Sequence, residues 1–494
     1  MKIKELVKSL NVLKVNYKGL EDLEISEINT DSRTANDNKG TDKSGSVFFA
    51  YAGESYDSNK DIEEIWKLKK AKFIISEIEL SDDVAYAQIK SGKDDLANAY
   101  ISFYGNPIKK YKSVAITGTN GKTTSSYIMD SIFEANRNKS VRIGTTGLKI
   151  DCEFIELDNT TPSPYIVYNN LRRGIEKGCT GLSMEVSSHA LAQNRLGNIK
   201  FNAAIFTNLT GDHLDFHKNM EDYFAAKSLL FEDSRSDYKI INISHDYGKK
   251  LANNIRERNS SGLITFSVED HDADIYPIEY ESTVNGLKCI ANVLNEKVEF
   301  HSPLIGLYNL ENILGVIGAA TAIGIKLDVI KAGIENLKNV PGRLEKYSNK
   351  NITAFVDYAH TDDALVNAIS SLKKVAKGRI ITVFGAGGDR DKSKRPRMAK
   401  AATSISDITI ITSDNPRTED PNAIIEDVVK GVVENSIYEV EVDREKAIEK
   451  AVNIAKENDV IFIAGKGHED YQIIGTTKHH FHDGEVVQKY LSKI

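Results

Sequence analysis

A chain of 494 residues is longer than one hydrophobic core supports and divides into about two to four domains. Its 64 basic and 71 acidic residues, a net charge of −7, exclude a general nucleic-acid binder, and 40% apolar with 27% charged content excludes a disordered chain. Three scattered cysteines (Cys152, Cys179, Cys289) make neither a disulfide framework nor a zinc site, and no run reaches the roughly 18 apolar residues that span a bilayer.

The N-terminal "MKIKELVKSLNVLKV" interrupts its apolar residues with lysines and reads as neither signal peptide nor anchor. The expected species is a cytoplasmic monomer with no nucleic-acid partner and no membrane anchor. Residues 1–105 mix short strand-like pieces, "SVFFAYAG" and "KFIIS", with a helical stretch near Trp66. The polar, proline-containing "YGNPIKKYK" (104–112) precedes an abrupt apolar strand, which places a linker there. From 113 onward apolar runs alternate with helical patterns, the mark of α/β layering. A second boundary falls at "NVPGRLE" (339–345). The resulting domains are 1–107, 108–340 and 341–494.

The strongest local signal is "SVAITGTNGKTTSSYIMDSIF" (113–133). Val114, Ala115 and Ile116 form a buried strand, and Ile128, Ile132 and Ala135 share one face of a following helix. Between them Gly118, Thr119, Asn120, Gly121, Lys122, Thr123 and Thr124 can wrap backbone N–H groups around phosphate oxygens at a helix N-terminus. Lys122 would set a cation on the β- and γ-phosphates, and the Thr123 hydroxyl would reach Mg²⁺. The glycines stand two residues closer than in the general phosphate loop, so the reading rests on strand–loop–helix context. Downstream, "SMEVSSHAL" (183–191) sets Glu185 at a strand end. "IFTNLTGDHLDFH" (205–217) sets Asp212, His213, Asp215 and His217 after another strand. A hard cation such as Mg²⁺ needs few protein ligands of this kind.

In order along the chain, "ITGTNGKTT", "TTPSP" (160–164), "EVSSHAL", "NLTGDHLDFH", "GLYNLENILGVIGAA" (306–320), "PGRLE" (341–345) and "VDYAHTDDAL" (356–365) resemble the Mur ligase family. These are ATP-dependent amide-bond-forming enzymes of peptidoglycan synthesis, and the resemblance runs over essentially the whole chain. It implies an α/β, three-domain Mur ligase architecture, with a central P-loop-type ATPase domain and a Rossmann-like C-terminal domain. It implies ATP and Mg²⁺, with UDP-MurNAc-L-Ala-D-Glu and meso-diaminopimelate as substrates. Carried over residue by residue, it gives Thr30 and Ser32 in "NTDSR" to the UDP moiety, together with "AGESYDS" (52–58). Asn159, Thr160, Thr161, Ser187, Gln193 and Arg195 go to the muramyl-dipeptide. Glu185 and His213 become metal ligands beside Thr123, and Asn309, Arg343, Asp357 and His360 surround the nucleotide. Lys227, read plainly, is a solvated helix lysine; the resemblance makes it a carbamate that carries negative charge toward the metals. Lys122, Lys227 and His213 are thus the expected catalytic residues.

Four C-terminal apolar runs, "ITAFVDYAH", "RIITVFGAGG", "DITIITSDNP" and "VIFIAGKGHE", each end in a polar loop. In an open parallel sheet, ligands bind beyond such carboxyl ends. "FGAGGDRDKSKRP" (384–396) does not fit the dinucleotide pattern G-x-G-x-x-G and instead offers Arg390. "SDNPR" offers Asp414, Asn415, Pro416 and Arg417, and "AGKGHED" (464–470) offers Gly465 and Glu469. A diamino-dicarboxylic acid needs a bidentate cation for its distal carboxylate and an anion for its distal ammonium. Lysine has no distal carboxylate, so an arginine there would be left unpaired. "DNPR" therefore favours diaminopimelate over the lysine-adding alternative. A folylpolyglutamate synthetase-like ligase is opposed by the N-terminal UDP-type segment. A nucleotide switch without ligase activity is opposed by the amino-acid loops. The His-rich "KHHFHDGE" (478–485) reads as a loop of solvated polar residues with no assigned role.

Overall fold

The apolar runs become short, buried strands. In the computed structural model, which describes residues 1–33, 45–53, 56–210 and 217–494, they fall into two compact bodies. One comprises residues 1–119, 137–240 and 250–263, and the other residues 120–136, 241–249 and 264–494. No helix among the described residues is long and apolar enough to cross a membrane.

In the first body, β1 (Val12–Asn16), β2 (Glu27–Asn29), β3 (Ser46–Phe49), β4 (Phe73–Ser76) and β5 (Tyr86–Ile89) form a sheet in the order β1-β5-β4-β3-β2. Only the β1–β5 pair is antiparallel. The helix Ile62–Lys67, which carries Trp66, packs Ile62 and Ile65 against Phe48 and Ile74. Next come β6 (Lys112–Thr117), β7 (Ser140–Gly144), β8 (Gly147–Ile150), β9 (Glu153–Ile155), β10 (Gly181–Glu185) and β11 (Phe201–Phe206), paired in the order β11-β6-β10-β7-β8-β9. β11, β6, β10 and β7 are mutually parallel, and their near-continuous burial is what a sheet covered on both faces requires. Their carboxyl ends deliver Phe206, Thr117, Glu185 and Gly144 to one edge. β12 (Ser236–Asn242) follows.

In the second body, β13 (Leu263–Phe266) leads into a meander of β14 (Ile275–Thr283), β15 (Gly286–Val293) and β16 (Glu296–Ser302). The helix Lys122–Ala135 packs on the helices Leu307–Ala322 and Leu327–Asn336, burying Ile128 and Ile132 as their spacing predicts. The C-terminal sheet, β17 (Glu345–Asn349), β18 (Ile352–Asp357), β19 (Ile380–Ala386), β20 (Ile408–Ser413), β21 (Tyr438–Val440) and β22 (Val460–Ala464), runs β17-β18-β22-β19-β20-β21. Only β17 is antiparallel to its neighbour. Alternate residues feed two cores. Phe355, Phe384, Ile411 and Phe462 pack with the helices after β18, β19 and β20, whereas Val356, Val383, Ile410 and Ile463 pack with the last two helices. Both faces are thus covered, and the loops at the strands' carboxyl ends are left to form the working edge.

The His-rich tract is not a loop. β23 (Tyr471–Ile474) and β24 (Thr477–His480) form a hairpin turning at Gly475 (φ 61°), and His482 caps the helix Asp483–Leu491, its Nδ1 accepting from the Glu485 N–H. All four β24 residues are exposed, so no hydrophobic alternation marked the strand.

Candidate active site

In the second body the helix Lys122–Ala135 begins at Gly121, whose φ of 87° lies in the left-handed region. A Cβ there would stand 2.2 Å from Asn312 Oδ1, so glycine is required twice over. No side chain caps this N-terminus. Its first-turn N–H groups and the Lys122 ammonium form the donor set that suits a phosphate. Thr123 and Thr124 are buried in the first turn, and Thr123 Oγ1 accepts from Arg343 Nη2 at 3.3 Å. Arg343 lies 4.9 Å over the Tyr358 ring. Asp357, at the end of β18, accepts from the Leu344 N–H at 2.7 Å and the Ala359 N–H at 2.8 Å. Burial pushes its carboxyl up, opposed by Arg343 and those two N–H groups. His360 is exposed, its Nδ1 2.9 Å from the Tyr358 carbonyl. Asn309 is buried, donating to the Ile305 carbonyl and accepting from Asn312 Nδ2 at 3.2 Å. Asn312 was not singled out from sequence, although its spacing of three puts it on the helix face of Asn309.

In the first body Gly118 (φ 151°) approaches β11 so closely that a Cβ would lie 1.9 Å from Thr207 Oγ1. Thr119 continues the loop, its N–H donating to the Asn208 carbonyl and its hydroxyl 3.3 Å from the Tyr223 hydroxyl. Asn120, the next residue, is exposed. Lys227 is not solvated: it is buried, donates to the Gly118 carbonyl at 2.9 Å and stands 4.7 Å over the Tyr223 ring. Tyr223, one helical turn earlier, also stacks on His217. As an ammonium, Lys227 is a donor and cannot itself ligate a cation.

Glu185 is fully buried at the end of β10. Thr145 binds both its oxygens, N–H to Oε1 at 3.1 Å and hydroxyl to Oε2 at 3.0 Å. Its carboxylate and the Thr123 hydroxyl are hard oxygen donors of the type Mg²⁺ takes. Among the described residues no group of three or more His, Cys, Asp and Glu forms a metal-holding cluster. His213, with Asp212 and Asp215, lies outside the described residues.

Thr161, Ser187, Gln193 and Arg195 come together. The Thr161 hydroxyl accepts from the Ser187 N–H at 2.9 Å, the Thr161 carbonyl accepts from Arg195 Nη1 at 2.9 Å, and Gln193 Oε1 accepts from Arg195 Nε. Thr160 pairs with Thr145 at 3.0 Å, while Asn159 is exposed. Thr30 and Ser32 follow β2 on a loop braced by the bidentate Asp31–Arg33 pair, which holds the Asp31 carboxyl at about 2. Glu54 and Ser55 of the second UDP-type segment lie outside the described residues.

The three C-terminal loops do converge. Arg417 takes φ 52° and is half-buried, its Nη1 donating to the Gly388 carbonyl at 2.7 Å. A Cβ on Gly387 would touch both Arg417 Nη1 and Arg390 Cγ, so the two arginines flank that glycine. Arg390 itself is exposed. Pro416 presses its carbonyl on Gly388, where a Cβ would be 1.8 Å away. Asn415 Nδ2 donates to Glu469 Oε2 at 2.8 Å, and Gly465 packs where a Cβ would meet Asp414 Oδ2 at 2.5 Å. Burial raises the nearby Tyr471 phenol, as does Glu469, while Arg417 opposes them, so both charges act on one ring. Lys466 was missed from sequence. It is fully buried and donates to Asn415 Oδ1 and Glu469 Oε2, both at 3.1 Å. The signal available was a lysine between two glycines at a strand end.

Residues 116–320 match the Mur ligase middle domain, and residues 342–467 match the Mur ligase glutamate ligase domain. The UDP-N-acetylmuramoyl-L-alanyl-D-glutamate--2,6-diaminopimelate ligase of Clostridioides difficile is 39% identical over 496 residues, covering 100% of both chains. A solved structure of a ligase of the same name superposes with a TM-score of 0.72 at 29% identity, covering 97% of this chain and 99% of the other. MurF ligase from Thermotoga maritima, in complex with ADP, shares the fold alone: TM-score 0.60, 18% identity, covering 91% and 95%. The α/β, three-domain architecture expected from sequence is that of these structures. The chain belongs to the Mur ligase family.

Proposed function

We propose that this chain is an ATP-dependent ligase that adds meso-diaminopimelate to UDP-N-acetylmuramoyl-L-alanyl-D-glutamate in the cytoplasm, as a step of peptidoglycan precursor synthesis. One observation carries the choice of amino acid. Arg417, half-buried and fixed by Gly388, shares a loop cluster with Glu469, itself held by Asn415 and Lys466. A fixed cation beside a fixed carboxylate complements the distal carboxylate and ammonium of a diamino-dicarboxylic acid. The name and full-length identity of the Clostridioides difficile relative support the same reading.

In this reading residues 1–107 bind the UDP moiety, 108–340 bind ATP and 341–494 bind the amino acid. Lys122 and the N–H groups of the phosphate loop hold the transferring phosphoryl group as charge builds on it. The substrate carboxylate takes that group to give an acyl phosphate and ADP. The amine then attacks the carbonyl carbon, the C–N bond forms, the C–O bond to phosphate breaks, and the amine releases its proton. Mg²⁺, held by Thr123, Glu185 and His213, with Lys227 as its carbamate, would neutralise phosphate charge when bound. Arg343, Asp357, His360 and Asn309 would position the nucleotide. Thr30, Ser32, Asn159, Thr160, Thr161, Ser187, Gln193 and Arg195 would hold the acyl acceptor.

The experiment is an omission series. Phosphate release from ATP is expected only when UDP-MurNAc-L-Ala-D-Glu and meso-diaminopimelate are both present, and Lys122→Ala should abolish it. Equal release without the amino acid, or substantial activity in the Lys122 variant, would refute the reading.

A further inference from the structure

Arg444 opens the helix Arg444–Ile454 and Asp483 opens the helix Asp483–Leu491, and both side chains are fully buried. Arg444 Nε and Nη2 donate to the two Asp483 oxygens, each at 2.7 Å. The guanidinium then reaches beyond its partner, Nη1 donating to the Ser413 carbonyl at 3.3 Å and Nη2 to the Ala464 carbonyl at 2.9 Å. Ser413 and Ala464 end β20 and β22, and the next residues are Asp414 and Gly465, the first of two acceptor loops. β20 and β22 both pair with β19, whose ladders end at Ser413 and Ala464, so the guanidinium joins the two outer strands directly where the backbone pairing stops. Beyond those ends the two loops meet, since a Cβ on Gly465 would lie 2.5 Å from Asp414 Oδ2.

We propose that Arg444, oriented by Asp483, is a positioning residue for the amino-acid site: one guanidinium ties the roots of two non-adjacent strands and so fixes the separation of Arg417 from Glu469. This rests on the diaminopimelate reading for what the two loops bind, but the clamp itself is readable without it. A buried ion pair contributes little net stability and is replaceable by apolar groups of similar size, so stability alone gives no reason for its form. The planar fork does what no lysine could, serving a bidentate carboxylate and two carbonyls together.

The test uses the full-length chain carrying Arg444→Lys, and a second variant, Arg444→Met/Asp483→Leu, that removes both charges and keeps the core apolar. In each, KM for diaminopimelate should rise about tenfold to a hundredfold, the cost of an ångström-scale misplacement, with KM for ATP within about twofold. Amide hydrogen exchange, measured without any substrate, should quicken in residues 413–417 and 464–469 and stay unchanged in β18 and the helix Asp362–Val375. A double variant that unfolds cooperatively yet keeps wild-type exchange in both loops overturns the clamp, whatever the amino acid proves to be. Normal KM for diaminopimelate in that variant overturns it too.

Discussion

Arg417 carries one duty that a lysine could not share, and it lies in the side chain. Its backbone is pinned, with the N–H on the Ile473 carbonyl at 3.1 Å and its own carbonyl accepting from Gly475 at 2.8 Å. Its side chain spends one N–H on Gly388, leaving the rest of the fork for a ligand carboxylate. Arg417→Lys is therefore expected to raise KM for diaminopimelate about tenfold or more, the worth of a charge-assisted hydrogen bond, and to leave KM for ATP nearly unchanged. A parallel loss of ATP affinity would assign the loop to the nucleotide instead. His468 poses a different case. Its Nδ1 is buried without a hydrogen-bond partner, and burial, with Arg343 nearby, pushes its pKa down to about 4. Between that value and the ordinary 6.5 or so, the unfolded chain holds a proton that the folded chain refuses. Stability from this group is thus complete above pH of about 6.5 and falls by roughly 2–3 kcal/mol as pH drops toward 4. His468→Gln should flatten the decline of Tm with acidification over that window; an unchanged slope would contradict the assignment.

At the scale of elements, the phosphate loop was the most legible part of the chain because backbone demands and side-chain chemistry coincide there. Gly121 is needed for its positive φ and for the room beside Asn312, and Lys122 and Thr123 follow at once on the helix. Gly121→Ala should raise KM for ATP about tenfold, since a side chain in the left-handed region costs roughly 1–2 kcal/mol before the clash with Asn312 is counted. KM for the amino acid should stay unchanged, and a shift in both would point to general unfolding. The parallel strands were equally readable, each being a short apolar run closed by a polar loop. The hairpin β23–β24 was not, because β24 is exposed throughout and β23 is only half-buried, so neither strand leaves a hydrophobic period. Nor was the burial of Lys227. A lysine in "YFAAKSLLF" shows no sign that its ammonium lies beneath the Gly118 carbonyl, since that contact joins residues 109 apart.

For the whole molecule, sequence order alone carried the architecture and the family, since seven motifs in one order are far more specific than any of them. What sequence could not supply was the set of residues that act through others. Lys466 and Asn312 lie inside quoted motifs but act only by holding residues already singled out, as Tyr223 does, and Arg444 meets Asp483 only after the last helix has folded back. The central claim is that the C-terminal loops select a diamino acid with a distal carboxylate. It is tested most directly by measuring kcat/KM for meso-diaminopimelate and L-lysine side by side, at saturating ATP and UDP-MurNAc-L-Ala-D-Glu. A half-buried arginine whose fork meets no ligand carboxylate should cost lysine about tenfold or more, so the predicted ratio favours diaminopimelate by that factor or more. A ratio near one, or one favouring lysine, would contradict the account.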